Sequence, residues 1–228
     1  MSLSKSSKLW LRRAISLLSF VLAFCLVAAA QEPVVPTVGF DLAFPGSQPE
    51  KYTILIPATG NATYSSDGKL TPDSESDNFR MDFTISEATR IRIFDLAKAA
   101  HYFAGEVDSR KKGLASTGVK TLMYRDAERD AKTTYNYSTI RAVQELTQLF
   151  QELSTTLEFG RRLQYYHRYQ KLALDDELKR MEEMAKQDDL QELGAVAPVL
   201  KQIAADQSVI NPVRARAQRL LERTSSGR

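Results

Sequence analysis

The sequence predicts an α+β fold: a small antiparallel β-sheet of four to five strands with one packed helix, followed by a helical C-terminal half. Three observations carry this. Tyr52, Ile54 and Ile56, and again Met81, Phe83 and Ile85, recur at every second position, the spacing that places side chains on one face of a strand. Ile140, Val143, Leu146, Phe150, Leu153 and Leu157 recur at intervals of three and four, the spacing of one helix face. Finally, Pro33, Pro36, Pro45 and Pro49 crowd residues 31–50, where each removes a backbone donor and disfavours helix.

Taken in order, residues 1–30 read as a secretory signal peptide. Lys5, Lys8, Arg12 and Arg13 precede an uncharged, mostly apolar run over 14–27, and Ala28, Ala29 and Ala30 supply the small residues a signal protease needs. The working protein then starts near Gln31. The alternative is a retained anchor, but the uncharged stretch 14–30 is at the short limit for a bilayer span, which takes about 20 residues. Cys25 is the only cysteine; it follows bulky Phe24 inside the apolar run, unlike a lipoprotein signal, and leaves with the signal. What remains has no thiol nucleophile, disulfide or cysteine metal site.

The signal also explains the charge. The chain holds 31 Lys and Arg against 28 Asp and Glu, a net of +3. Removing the four bases of residues 1–30 leaves 27 bases against 28 acids, a net of −1. The basic balance therefore belongs to the export signal and is no argument for nucleic acid as a partner.

Residues 31–50 read as a proline-rich, partly extended linker that leaves room for one edge strand at 38–43. Residues 51–138 read as β-β-β-α-β-β. Thr59, Gly60 and Asn61 supply a turn after the first strand, 62–66 return as the second, 65–78 form a polar loop, and 81–85 are the third. Ser86 is a fitting N-cap and Glu87 suits the positive end of a helix. Ile93, Leu96, Ala97, Ala100 and Phe103 extend that helix toward Gly105, a C-terminal stop. Residues 119–125 and 132–137 read as two more strands around a charged turn. Residues 139–224 read as a helical region packed on or extending from the sheet, with Gly160 a candidate kink because glycine costs about 1 kcal/mol against alanine inside a helix. Asp175, Asp176 and Glu177 suit a fresh helix start, and two short helices close the chain over 196–206 and 212–223, with Asn211 as N-cap and Pro212 at the first position. Pro198, Leu200, Ile203, Val213, Ala217 and Leu220 place this last pair so that it resembles one helical hairpin of the HEAT-repeat type.

Motifs that would carry chemistry are weak. His101 and His167 lack a second histidine at helical spacing, so no metal site is predicted. Residues 113–118 imitate a phosphate loop, but Val119 stands where the lysine must follow and a strand continues where a helix must start; no cofactor is predicted. Asp73, Glu75 and Asp77 open like a calcium loop, yet Asn78 replaces the needed glycine and Thr84 the closing glutamate. Acids on the long helices have bases four residues on (Asp175 and Lys179, Asp176 and Arg180, Glu158 and Arg162, Glu182 and Lys186), which predicts ion pairs along helix faces.

No catalytic set is predicted. The expectation is an exported protein, periplasmic or extracellular, that works by binding or assembly beside a protein partner in the cell envelope, with no nucleic acid and no membrane span once the signal is cleaved. The alternative is an envelope carbohydrate-binding protein or hydrolase using Arg161, Arg162, Tyr165, Tyr166, His167 and Tyr169 as its surface. Against that alternative stands a helix face that simply wraps its aromatics over the sheet.

Overall fold

The computed structural model describes residues 34–70 and 74–226; residues 1–30, read above as a signal, and Asp73 lie outside the described residues. Six strands form one antiparallel sheet: β1 (Thr37–Ala43), β2 (Lys51–Pro57), β3 (Asn61–Lys69), β4 (Ser76–Thr84), β5 (Val119–Arg125) and β6 (Asp130–Tyr135), in the order β4-β3-β2-β1-β5-β6. Among the described residues five α-helices follow or interrupt them: α1 (Glu87–Ala99), α2 (Arg141–Tyr169), α3 (Leu174–Lys186), α4 (Ala197–Ala205) and α5 (Asn211–Ser226). This is the α+β fold with a helical C-terminal half, and the sheet has one strand more than expected.

The extra strand corrects the reading of residues 31–50. β1 is neither linker nor edge but an inner strand, paired with β2 on one side and β5 on the other. Pro36 and Pro45 bracket it without interrupting it. Val38, Phe40 and Leu42 alternate onto the core side, fully or almost fully buried.

The polar loop predicted over 65–78 is mostly strand, with β3 running to Lys69 and β4 starting at Ser76. The inward positions there are Ser66 and Gly68, which face buried polar groups of α2, so the apolar alternation that marks a strand is missing. Gly68 could not be replaced freely, since its φ is +155° and an added Cβ would stand 3.1 Å from the Glu50 nitrogen.

α1 starts as predicted, with the Ser86 hydroxyl accepting from Thr89 N–H, but ends at Ala99. His101, Tyr102 and Phe103 then take left-handed backbone, at φ 51°, 55° and 65°. Each such residue costs about 1–2 kcal/mol. The turn delivers Phe103 to the core at 2% exposure and sets the Tyr102 ring against Tyr124 at 4.6 Å, tilted by 47°, with Arg129 over its ring. A helix continued to Gly105 would carry Phe103 past that site.

Both α1 and α2 lie on one face of the sheet. Ile93 and Ala97 of α1, and Val143, Leu146, Phe150 and Leu153 of α2, share a core with Val38, Phe40, Tyr52, Ile54 and Leu122. The Phe40 and Phe150 rings stack at 5.1 Å and 2°, a contact of about 1 kcal/mol beyond its burial. α2 then runs past the sheet into a second core, where Phe159 and Leu163 meet Leu178 and Met181 of α3, Leu200 and Ile203 of α4, and Val213, Ala217 and Leu220 of α5.

Gly160 sits at the hand-over between the two cores, and the helix passes through it unbroken. An added Cβ there would stand 2.5 Å from Val196 Cγ1. The glycine is thus a close-packing position, not a kink.

The ion pairs also differ from the prediction. Asp175 and Glu182 of α3 pair with Arg216 of α5, Glu182 also takes Arg219, and Glu177 takes Arg162 of α2. Glu158 pairs with Arg161 and not with Arg162. The acids join helices to one another because α3 and α5 pack with these faces together. Arg219 and Arg216 donors hold the Glu182 carboxyl below its usual range.

Candidate functional site

The six residues singled out on α2 do not converge. Arg161 is 5% exposed and lies under the sheet edge. Its Nη1 stands 3.7 Å from Glu158 Oε2, and its nitrogens donate to Ser66 Oγ (3.4 Å), the Gly68 carbonyl (3.4 Å) and the Asp77 carbonyl (3.3 Å). Glu158 Oε1 accepts from the Tyr64 hydroxyl at 2.9 Å and from Ser66 Oγ at 2.6 Å. Burial, and then the Glu158 charge, push the Tyr64 phenol well above its usual range. Every charge in this group has a partner, so the network bolts α2 to β3 and β4. The neighbouring Tyr52 hydroxyl is buried without a hydrogen bond of its own, and burial raises its pKa too.

Arg162 donates from Nε to Glu177 Oε1 at 2.7 Å, and Arg180 donates to the same carboxylate. Both guanidiniums lie over the Phe159 ring, at 4.9 and 5.2 Å. The pair therefore clamps α2 to α3.

His167 Nε2 meets Asp206 Oδ2 at 2.9 Å, and Lys171 Nζ donates to the same oxygen at 2.7 Å. Ser208 donates to Asp206 Oδ1 from its N–H (2.9 Å) and its hydroxyl (2.7 Å). The Lys171 ammonium first, then the Ser208 donors, hold the Asp206 carboxyl far below the usual carboxylate range. The residue types are those of a serine hydrolase, but the connectivity is not. The Ser208 hydroxyl points its proton at Asp206 and takes one from Lys171, so His167 is not placed to activate it. The group ties the end of α2 to the turn between α4 and α5.

Of the three tyrosines, Tyr166 packs against the second core, Tyr165 is half-buried and Tyr169 is 65% exposed. Their rings meet each other, at 5.8 Å between Tyr165 and Tyr166 and 5.2 Å between Tyr165 and Tyr169. They do not wrap over the sheet, because α2 leaves it after Arg161, its last contact with β3 and β4.

A larger surface lies on the side of the sheet away from the helices. Its rows run across all six strands: Arg80, Ser65, Thr53, Asp41, Thr121 and Thr134 in one, and Asp82, Thr63, Leu55, Gly39, Met123 and Lys132 in the next. None of these residues belongs to either hydrophobic core. Thr63 donates to Asp82 at 2.8 Å and Thr121 shares a hydrogen bond with Thr134. Leu55, 39% exposed, and Met123 close over Gly39 to make a small apolar centre among hydroxyls. With strands about 4.8 Å apart, the face is roughly 24 Å wide. Sequence reasoning followed the apolar half of each alternation and passed over the other half. The signal was present in Thr53, Thr63 and Thr121, the polar partners of each buried pair.

A groove of about 1180 Å³ opens between the start of α1 and the C-terminal helices, lined by Ile85, Ser86, Leu190, Glu192, Pro198 and Leu221 among others. Glu192 crosses it, accepting from Ser86 N–H at 3.0 Å and Ser86 Oγ at 2.5 Å. The positive end of α1 is therefore met by the chain's own carboxylate.

Fold and surface define a helix-backed antiparallel sheet whose other face is hydroxyl-rich and is not covered by the described helices. No described helix is long and apolar enough to cross a membrane. No model of a known protein family matches the chain, and comparison with curated proteins finds no relative.

Proposed function

We propose that the protein is an exported binding or assembly module of the cell envelope, without catalytic chemistry of its own, and that the open sheet face receives its partner. One observation carries the reading: the charged groups that resemble catalytic sets are each consumed in ties between elements, while a six-strand face is left uncovered by the described helices. Flat faces of alternating hydroxyls, a few charges and a small apolar centre suit a polar partner held by many modest contacts. Export rests on the charged, apolar and small-residue order of residues 1–30.

The test is site-specific photo-crosslinking in cells. A crosslinker at Thr53 or Leu55 captures one defined partner, and the same group at exposed Glu183 on α3 does not. Equal capture from both positions refutes the assignment of the face. Turnover on a panel of envelope hydrolase substrates that is abolished by His167→Ala refutes the non-enzymatic reading. An intact mass for the exported form that begins near Gln31 tests the signal.

A further inference from the structure

β4 is a nine-residue strand at the edge of the sheet. An open edge is a row of backbone donors and acceptors that can extend the sheet. Its outward groups follow from its last inward bond. Ile85 N–H donates to the Gly60 carbonyl at 3.0 Å, toward β3. In an antiparallel ladder alternate residues then turn away, so Asn78, Arg80, Asp82 and Thr84 direct their N–H and C=O groups outward. Ser86, next in that series, does point outward, and Glu192 covers it. The open stretch therefore ends at Thr84.

We propose that this edge pairs with the same edge of a second copy of the chain, antiparallel, about a two-fold axis at Met81. Two six-stranded sheets would then join as one of twelve strands. The charge order selects both occupant and register. Arg80 and Asp82 lie on the open face, 72% and 74% exposed, and meet each other at 3.8 Å. With the axis at Met81, Arg80 faces the second copy's Asp82 and Asp82 faces its Arg80, two attractive cross-strand pairs. An axis at Arg80 sets arginine on arginine, and an axis at Asp82 sets aspartate on aspartate. Odd shifts would turn one sheet over.

The helix-side residues favour the same register, because Met81 meets Met81 and Phe79 meets Phe83. Phe79 and Met81 are only half-buried at the margin of the core and gain cover on pairing. Proteins that only shield an edge place charges, prolines or bulges along it. This one carries both signs in an order that is its own complement, as an isologous interface requires.

The proposal does not depend on what the open face binds. It is tested on the full chain by sedimentation across a concentration series. Wild type forms a dimer. Arg80→Asp alone and Asp82→Arg alone each turn both pairs repulsive and weaken the dimer by roughly thirtyfold. Mixing the two variants restores a dimer, because one copy then presents an acid at both positions and the other presents an arginine at both. In wild type the amide protons of Arg80 and Asp82 gain exchange protection with concentration. A wild type that stays monomeric, a mixture that stays monomeric, or exchange at these amides that ignores concentration overturns the proposal.

Discussion

Arg161→Met removes a charge from a site where only 5% of the residue meets solvent, while nearly keeping its length. The change leaves the Glu158 carboxylate, itself 5% exposed, with its two hydroxyl donors but no counter-ion. Breaking one side of a buried pair costs about 3–5 kcal/mol. The carbonyls of Gly68 and Asp77 lose donors at 3.4 and 3.3 Å, long enough that each adds only about 0.5 kcal/mol. Burial of the thioether against Phe79 returns about 1–2 kcal/mol. The net loss is about 3 kcal/mol, a large part of the 5–15 kcal/mol typical of a domain. Adding Glu158→Gln removes the stranded charge and keeps an acceptor for Tyr64 and Ser66. The double variant is therefore more stable than Arg161→Met alone, with a coupling of about 1–3 kcal/mol. Urea unfolding followed by far-ultraviolet circular dichroism measures all corners of the cycle. An Arg161→Met variant within about 1 kcal/mol of wild type, or strictly additive losses, would show that the pair is not the bolt between α2 and the sheet.

Four further outcomes follow from the packing and the charges. Gly160→Ala, a favourable change by helix propensity, lowers stability by about 1–2 kcal/mol because its methyl meets Val196, and adding Val196→Ala recovers part of that loss in thermal melts. Leu146→Asp, at a fully buried position shared by helix and sheet, unfolds both together, costing several kcal/mol; a residual sheet signal in the circular dichroism would contradict this. The depressed Asp206 carboxyl stabilises the fold above about pH 4 and loses that contribution as pH falls toward its folded value, so Asp206→Asn shows a smaller drop in urea midpoint between pH 5 and pH 3. Burial pushes the Tyr135 phenol up to about 12, so stability falls as pH rises from about 10, where the unfolded phenol ionises; Tyr135→Phe flattens that alkaline slope in the same titration.

Much of the fold was legible because local spacing reports which face of an element is apolar. The pairs Tyr52 and Ile54, Met81 and Phe83, and the stripe from Ile140 to Leu157 identify β2, β4 and α2, and their order identifies the α+β class. Misreadings fall where a neighbour distant in sequence supplies the partner. Ser66 looks like loop because the Glu158 it faces is 92 residues away. Gly160 looks like a break because Val196, which requires its missing Cβ, arrives from another element. Arg162 and His167 look like a surface because their acids, Glu177 and Asp206, cannot be matched to them by helical spacing, and Arg161 does because the strand groups that enclose it, Ser66, Gly68 and Asp77, are 84 to 95 residues away.

Read alone, the chain specifies the periodicities, the N-cap at Ser86, the single cysteine and the charge excess confined to residues 1–30, since each depends only on neighbours in sequence. Folding in three dimensions adds that β1 is an inner strand, that both α1 and α2 cover the same face, and that the described helices leave the polar half of each strand uncovered. The reason is that strand alternation states which residues share a face but not which face the helices will choose. That choice belongs to the long connections, α1 between β4 and β5 and α2 after β6, and it shows only when all six strands stand side by side.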